Sequence, residues 1–298
     1  GQSQLKNKYS LSSMDIERYI VLAFCIQSII EVFAFIFPPF AAFLIPFNRA
    51  HNFSEQTVQI RGLALSAGTG WSLALSYGLA FIILVKRFYL NQIELKGIIG
   101  GVLLIAGTMF AGRTGFVGAA IGAILFILNN NTKLNKKIIF IIKVLIVIIL
   151  VCLIFYIIFP EIANYLVEYV FPFAFEPFYR LYYNDEFSTS STDTLGDMWE
   201  VEFTLEESII GTGLFTDPIL GSYYRHIDIG IIRNLLYWGI GGYSLLILYQ
   251  LFLTIPIKKF AQKKKLWNLK LYHLCIVSYL FIMEFKAMTI GFNKMAMS

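Results

Sequence analysis

Long apolar runs alternate along the chain with short polar clusters, and the runs have the length of membrane-crossing helices. A helix needs about 20 apolar residues to cross a hydrocarbon core about 30 Å thick. By this measure spans are predicted at about 19–37, 62–85, 97–112, 114–128, 138–159, 229–254 and 271–291. The stretch 97–128 is the awkward one. As a single helix it would measure about 48 Å at 1.5 Å per residue, too long for one crossing and too short for two comfortable ones. Gly112-Arg113-Thr114-Gly115 is therefore read as a sharp reversal between two short helices. The expected fold class is all-α, a polytopic transmembrane helical bundle of about seven spans with a long folded outer loop. Its parts are N-terminal transmembrane helices over 1–159, the outer loop over 160–228, and C-terminal transmembrane helices over 229–298.

Composition agrees with that pattern. Hydrophobic residues make up 57% of the 298 positions and charged residues 14%, with a mean hydropathy of +0.68. A soluble domain carries about 25% charged residues, so this chain could not cover its own surface in water. The net charge of +5 does not point to nucleic acid, because the charges sit in short clusters between apolar runs. Cys25, Cys152 and Cys275 all fall inside apolar runs, with no spacing that suggests a disulfide framework or a metal site. No signal peptide is visible, and the first residue is Gly1 rather than Met.

Charge also gives the direction. Segments 1–18, 86–96, 129–137 and 258–270 hold fifteen of the 24 basic residues, and all four fall on one side under the span assignment. The positive-inside rule makes that side cytoplasmic, with the N-terminus inside and the C-terminus outside. Segment 160–228 is then external, and it holds thirteen of the nineteen acids. Its Tyr179, Tyr182, Tyr183, Trp199 and Phe203 argue that it folds rather than staying disordered.

The candidate chemistry lies on that outer side. Arg61 opens an apolar run, Arg113 sits in the reversal, and Arg233 lies about a turn inside the sixth span. Charges at such depth line a cavity or pair with a partner, and a guanidinium fork matches phosphate oxygens bidentately. Snorkelling to lipid headgroups is the simpler role, favoured for any single arginine except Arg113. In Tyr223-Tyr224-Arg225-His226-Ile227-Asp228, either His226 or Asp228 could serve as a general base. Asp228 is also placed to cap the next helix. Gly211-Thr212-Gly213 is too short to be a phosphate loop, His51 and His273 are read as structural, and Glu284 and Lys286 are expected to pair with other helices. Nucleotide loops, HExxH and GxSxG are absent from the sequence. An enzyme of this kind would draw its energy from an activated membrane-borne substrate.

In their order these features resemble the Wzy-type O-antigen and capsular repeat-unit polymerases, with the O-antigen ligases next. The likeness rests on Arg61-Gly62-Leu63, on Gly112-Arg113-Thr114-Gly115, on Gly211-Thr212-Gly213 followed by His226-Ile227-Asp228-Ile229-Gly230 and Arg233-Asn234-Leu235, and on Glu284-Phe285-Lys286. The resemblance implies a metal-independent, inverting glycosyltransferase without a cofactor, in the bacterial cytoplasmic membrane. It would join glycans carried on undecaprenyl diphosphate at the outer face, alongside a chain-length regulator and a flippase of the same pathway. Arg61 and Arg113 would hold the diphosphate, with Arg225 and Arg233 as further candidates, and His226 or Asp228 would stand near the acceptor hydroxyl. His226 is placed ahead, because an imidazole titrates near neutral pH while Asp228 has a capping role. Such polymerases have ten or more spans, so N-terminal spans, and a last C-terminal one, are expected to be missing here. A ligase, or a lipid-oligosaccharide flippase, remains the alternative. The acidic, aromatic outer loop and the lack of matching halves weigh against a transporter.

Overall fold

The computed structural model describes residues 13–47, 65, 70–90, 95–128, 134–254 and 266–289. Among these residues every regular element is helical, and an isolated bridge pairs Thr216 with Tyr223. Among the described residues four helices are long and apolar enough to cross a membrane: α1 (Ser13–Ile36), which the short α2 (Pro38–Leu44) follows, α3 (Gly70–Leu90), α6 (Leu134–Ile158) and α12 (Gly230–Thr254). By length and composition they mark a membrane protein. The other apolar helices, α4 (Leu95–Ala111), α5 (Gly115–Leu128) and α13 (Leu266–Glu284), have shorter apolar stretches. The chain divides into two compact units, Gly1–Phe175 and Glu176–Ser298. The segment 160–228, expected as one outer loop, is thereby divided between them.

In the first unit α1, α3, α4 and α5 pack together, and small residues set their separation. A methyl group on Gly118 would overlap the backbone of Gly78, and one on Gly115 would lie 2.6 Å from Thr108 Cγ2 and 3.0 Å from the Ala74 carbonyl. Between membrane helices, which gain nothing from expelling water, such backbone approach supplies the attraction. The contacts also fix directions. Gly107 of α4 lies against Tyr77 of α3, and Gly101 against Leu84, so these two run antiparallel. Gly115 lies against Ala74, Gly118 against Gly78 and Gly122 against Phe81, so α5 runs parallel to α3. The chain therefore reverses between α4 and α5, at the glycines the sequence singled out. Gly112 has φ +153°, and its carbonyl accepts the Gly115 amide at 3.1 Å.

Polar contacts tie α1 to this group. Fully buried Glu31 accepts hydrogen bonds from Tyr77 Oη (3.0 Å) and Gln27 Nε2 (3.4 Å). Ser28 Oγ donates to Tyr77 Oη at 3.1 Å, and the absent side chain of Gly107 leaves room for both. At one end of the bundle Lys86 pairs with Glu17 and Lys137 donates to the Ile127 carbonyl at 2.6 Å. Arg113 is at the opposite end.

Helix α6 has another character. Its apolar window has a mean hydropathy of 3.6 with no residue of that window buried. After Phe159 (φ −129°, ψ 63°) the chain bends into a second helical stretch made of α7 (Pro160–Tyr165), a π-turn over Leu166–Val170 and α8 (Phe171–Ala174).

The second unit begins with α9 (Glu176–Asn184), α10 (Ser190–Met198) and α11 (Leu205–Ile209). Thr189 with Thr192, and Thr204 with Glu207, form capping boxes that start α10 and α11. Arg180 joins α9 to α10 through Glu176 (3.1 Å) and Asp193 (2.6 Å). The buried core is Ile227, Ile229, Ile232 and Leu236, against which Leu195, Met198, Val201 and Phe203 pack.

Two helices depart from expectation. Helix α12 is interrupted at Gly239 (φ +64°, ψ 179°), a conformation that only glycine adopts at low cost. The predicted last span to 291 ends instead at Glu284, where the chain turns through Phe285–Ala287. Positions 62–64 and 66–69, the start of the predicted second span, lie outside the described residues, as do 290 and 291.

Candidate functional site

The break in α12 frees the carbonyls of Leu236 and Tyr237 from the helical ladder. In an apolar setting each needs a replacement partner. Gly211-Thr212-Gly213 supplies it: the Thr212 amide donates to the Leu236 carbonyl at 2.6 Å, and the Gly213 amide to the Tyr237 carbonyl at 3.1 Å. Thr212 Oγ1 adds a bond to the Leu236 carbonyl at 2.9 Å. The fit is tight, since a Cβ on Gly211 would sit 2.5 Å from the Gly239 nitrogen. This triplet, given little weight in the sequence, fastens the loop to the broken helix.

The loop so fastened carries Phe215 and Tyr223 over Arg233. The Arg233 guanidinium lies 4.2 Å from the Phe215 ring centre and 3.8 Å from the Tyr223 ring centre, against two aromatic rings that stand at 75° to each other. Its side chain is 8% exposed. Nη1 faces Asp228 Oδ1 at 3.7 Å, an ion pair rather than a hydrogen bond. Nη2 is buried with no hydrogen-bond partner among the described residues. Arg233 also lines a small recess with Leu214, Phe215, Tyr224 and Leu236. A buried guanidinium with unused donor capacity beside a recess is equipped to take an anionic oxygen.

Asp228 stands just before α12 with its carboxylate half-exposed. Burial pushes its pKa above the usual carboxylate value, and the positive charges of Arg233 and Lys286 partly oppose that shift. The expected helix-capping role is not what the structure shows. Among the described residues the carboxylate reaches Arg233 rather than the amides of the first turn, and the Asp228 amide donates to Met198 Sδ at 3.4 Å. Lys286 arrives from the turn after α13 and bonds Ser191 Oγ at the start of α10. Glu284 is fully buried, accepts from Asn234 Nδ2 at 2.5 Å and from the Thr289 amide at 2.6 Å, and so anchors that turn to α12. Glu284 and Lys286 thus pair with other elements, as the sequence suggested.

Arg225 and His226 are set differently. Both are non-glycine residues with positive φ, 54° and 57°, a strained pair at the end of the loop. Arg225 forms an ion pair with Glu207 at 2.5 Å and donates to the Glu202 carbonyl at 2.9 Å, so it braces α11. The Thr204 amide, helped by Arg225, holds the Glu207 carboxyl below its usual range. His226 is exposed, with Nδ1 3.4 Å from Ser222 Oγ. Nearby Asp217 is held low by the amides of Leu220 and Ile219 and by the His226 charge.

Arg113 belongs to the first unit. Its guanidinium lies 4.5 Å from the ring centre of Phe173, the first residues of α5 following directly. Arg61 lies outside the described residues. The second unit thus brings together Asp228, Arg233 and Lys286, while Arg225 braces a neighbouring turn. Sequence reasoning missed Phe215 and Ser191. Among the described residues no three His, Cys, Asp or Glu side chains gather to hold a metal ion. The chain matches no protein-family model, no curated protein and no solved structure.

Proposed function

We propose that the chain is a membrane glycosyltransferase that polymerises undecaprenyl-diphosphate-linked oligosaccharide repeat units into O-antigen or capsular polysaccharide. The setting is the outer face of a bacterial cytoplasmic membrane, crossed about seven times with the N-terminus inside. The observation that carries the reading is Arg233, enclosed by Phe215 and Tyr223 with Nη2 free to bond an anion. The sugar chemistry and the pathway come from the resemblance of the sequence motifs.

In this mechanism a diphosphate oxygen of the donor occupies the Arg233 fork and draws it from Asp228. Arginine stabilises the charge that develops on the leaving lipid diphosphate. The released Asp228 carboxylate takes the proton of the acceptor sugar hydroxyl as that oxygen attacks the anomeric carbon. The bond to the diphosphate breaks, the lipid diphosphate departs, and the anomeric centre inverts. Asp228 takes precedence over His226 because it shares a surrounding with Arg233 and Lys286, whereas His226 is exposed beside Ser222. A base must be ionised to act, so a raised Asp228 pKa makes turnover climb with pH through a range above that of ordinary carboxylates.

Orientation is tested by an impermeant thiol reagent on intact cells, which should modify a cysteine at Ser190 and spare one at Lys264. Function is tested by the gel pattern of surface glycan from cells lacking the protein. A single repeat unit attached to its acceptor is expected. Loss of all attachment would indicate a ligase, and lipid-linked units accumulating in the cytoplasm would indicate a flippase; either overturns the proposal.

A further inference from the structure

The stretch 160–175 is more than the start of a loop. Small and apolar residues of one face, Ala163, Val170 and Ala174, are buried against the first unit. Aromatic contacts show where it lies: Tyr165 packs on Phe35 at the end of α1 (5.9 Å), and Phe175 on Phe116 at the start of α5 (5.8 Å). Phe173 sits under Arg113 at the α4–α5 reversal. All three contacts are at the end of the bundle opposite the Lys86–Glu17 pair, so the stretch runs across that end rather than along the helices. Glu161, Asn164 and Glu168 recur at intervals of three and four, are exposed, and fall on the face turned from the buried one. Between the two faces the flanks are apolar, with Val167 and Tyr169 about half exposed.

We infer that residues 160–175 form a helix lying in the plane of the bilayer surface, with Val167 and Tyr169 sunk in the headgroup layer and Glu161, Asn164 and Glu168 facing water. The occupant of the exposed apolar flanks is lipid. Helix α6 supplies the reason: its apolar window is long and unburied, and it delivers the chain to Phe159 at the point where a crossing would end. The bend there, followed by Pro160 in the first turn of α7, turns the chain from the membrane normal into its plane. Tyrosine and phenylalanine flanks with a narrow polar stripe are what an interfacial helix requires. The inference rests on the membrane reading of α6 and not on the enzymatic one.

Nitroxide accessibility in reconstituted vesicles tests it. Single cysteines at Asn164, Val167, Glu168 and Tyr169, and at Ile149 in α6 as a lipid-facing reference, are labelled in full-length protein with Cys25, Cys152 and Cys275 replaced by alanine. The vesicles are phosphatidylethanolamine with phosphatidylglycerol. Labels at 167 and 169 should collide more with oxygen than with a water-soluble nickel chelate, at a depth shallower than 149. Labels at 164 and 168 should show the opposite preference. Equal exposure of all four to the nickel chelate would place the stretch in water and overturn the inference. Burial of all four as deep as 149 would make it a continuation of the crossing and overturn it equally.

Discussion

Helices α5 and α6 are neighbours in sequence and both are strongly apolar, yet they have opposite fates. Helix α5 carries Gly115, Gly118 and Gly122 on one face and lies so close to α3 that Gly118 meets the Gly78 backbone. Helix α6 contains no Gly, Ala, Ser or Thr, and its apolar window is entirely unburied. Hydrophobicity brings a helix into a bilayer; small residues decide whether it then joins a bundle. Bulky β-branched side chains pack as well against lipid as against protein, so α6 has no reason to leave the lipid.

The comparison breaks most sharply at Gly118. Replacing it with Leu forces α5 off α3 where backbone opposes backbone, and overpacking of that kind should exceed the usual range of about 1–3 kcal/mol. Little folded protein should survive purification, as judged by size-exclusion profile and by denaturing-detergent titration. A variant as stable as the parent would show that α3 and α5 are not in contact.

Next in size is Gly239→Ala in the broken helix α12. The positive φ costs about 1–3 kcal/mol for a side chain, and the added methyl would overlap the Ile209 carbonyl. Detergent-titration midpoints should fall clearly, whereas Gly241→Ala, whose Cβ meets open space, should leave them in place. Thr212→Val then removes the hydroxyl's bonds to the Leu236 carbonyl and from the Leu214 amide while keeping the Thr212 amide bond, and should lower the same midpoints, for a loss of about 1 kcal/mol.

The smallest effect belongs to α6. Ile149→Ala exchanges one lipid-facing side chain for another and should change stability by less than about 0.5 kcal/mol. A loss comparable to that of a core residue would mean that the Ile149 face of α6 packs against protein rather than lipid.

What the sequence revealed follows the same division. Apolar length placed the helices, and Gly112-Arg113-Thr114-Gly115 marked the reversal, because a 32-residue run has no other way to fit. The break at Gly239 was not legible, since Trp238-Gly239-Ile240-Gly241-Gly242 reads as continuous apolar helix and the partners of the freed carbonyls come from Thr212 and Gly213. Asp228 and Arg233 were visible as charges near a span. The enclosure of Arg233 was not, because Phe215 and Tyr223 reach it through a loop whose path depends on that break. The ion pair of Arg225 with Glu207 was likewise not legible, since the two lie eighteen residues apart.

The most direct measurement compares the parent protein with Arg233→Lys in vesicles supplied with undecaprenyl-diphosphate-linked repeat units, following glycan length and released lipid diphosphate together. The parent should lengthen the glycan and release one lipid diphosphate for each unit joined. Lysine keeps the charge but loses the planar fork and its contact with the two rings, so the variant, at equal folded abundance, should be slower by about tenfold or more, equivalent to about 1.4 kcal/mol or more of transition-state stabilisation. Equal rates for the two proteins, or no lengthening by the parent, would contradict the assignment of Arg233 to the diphosphate.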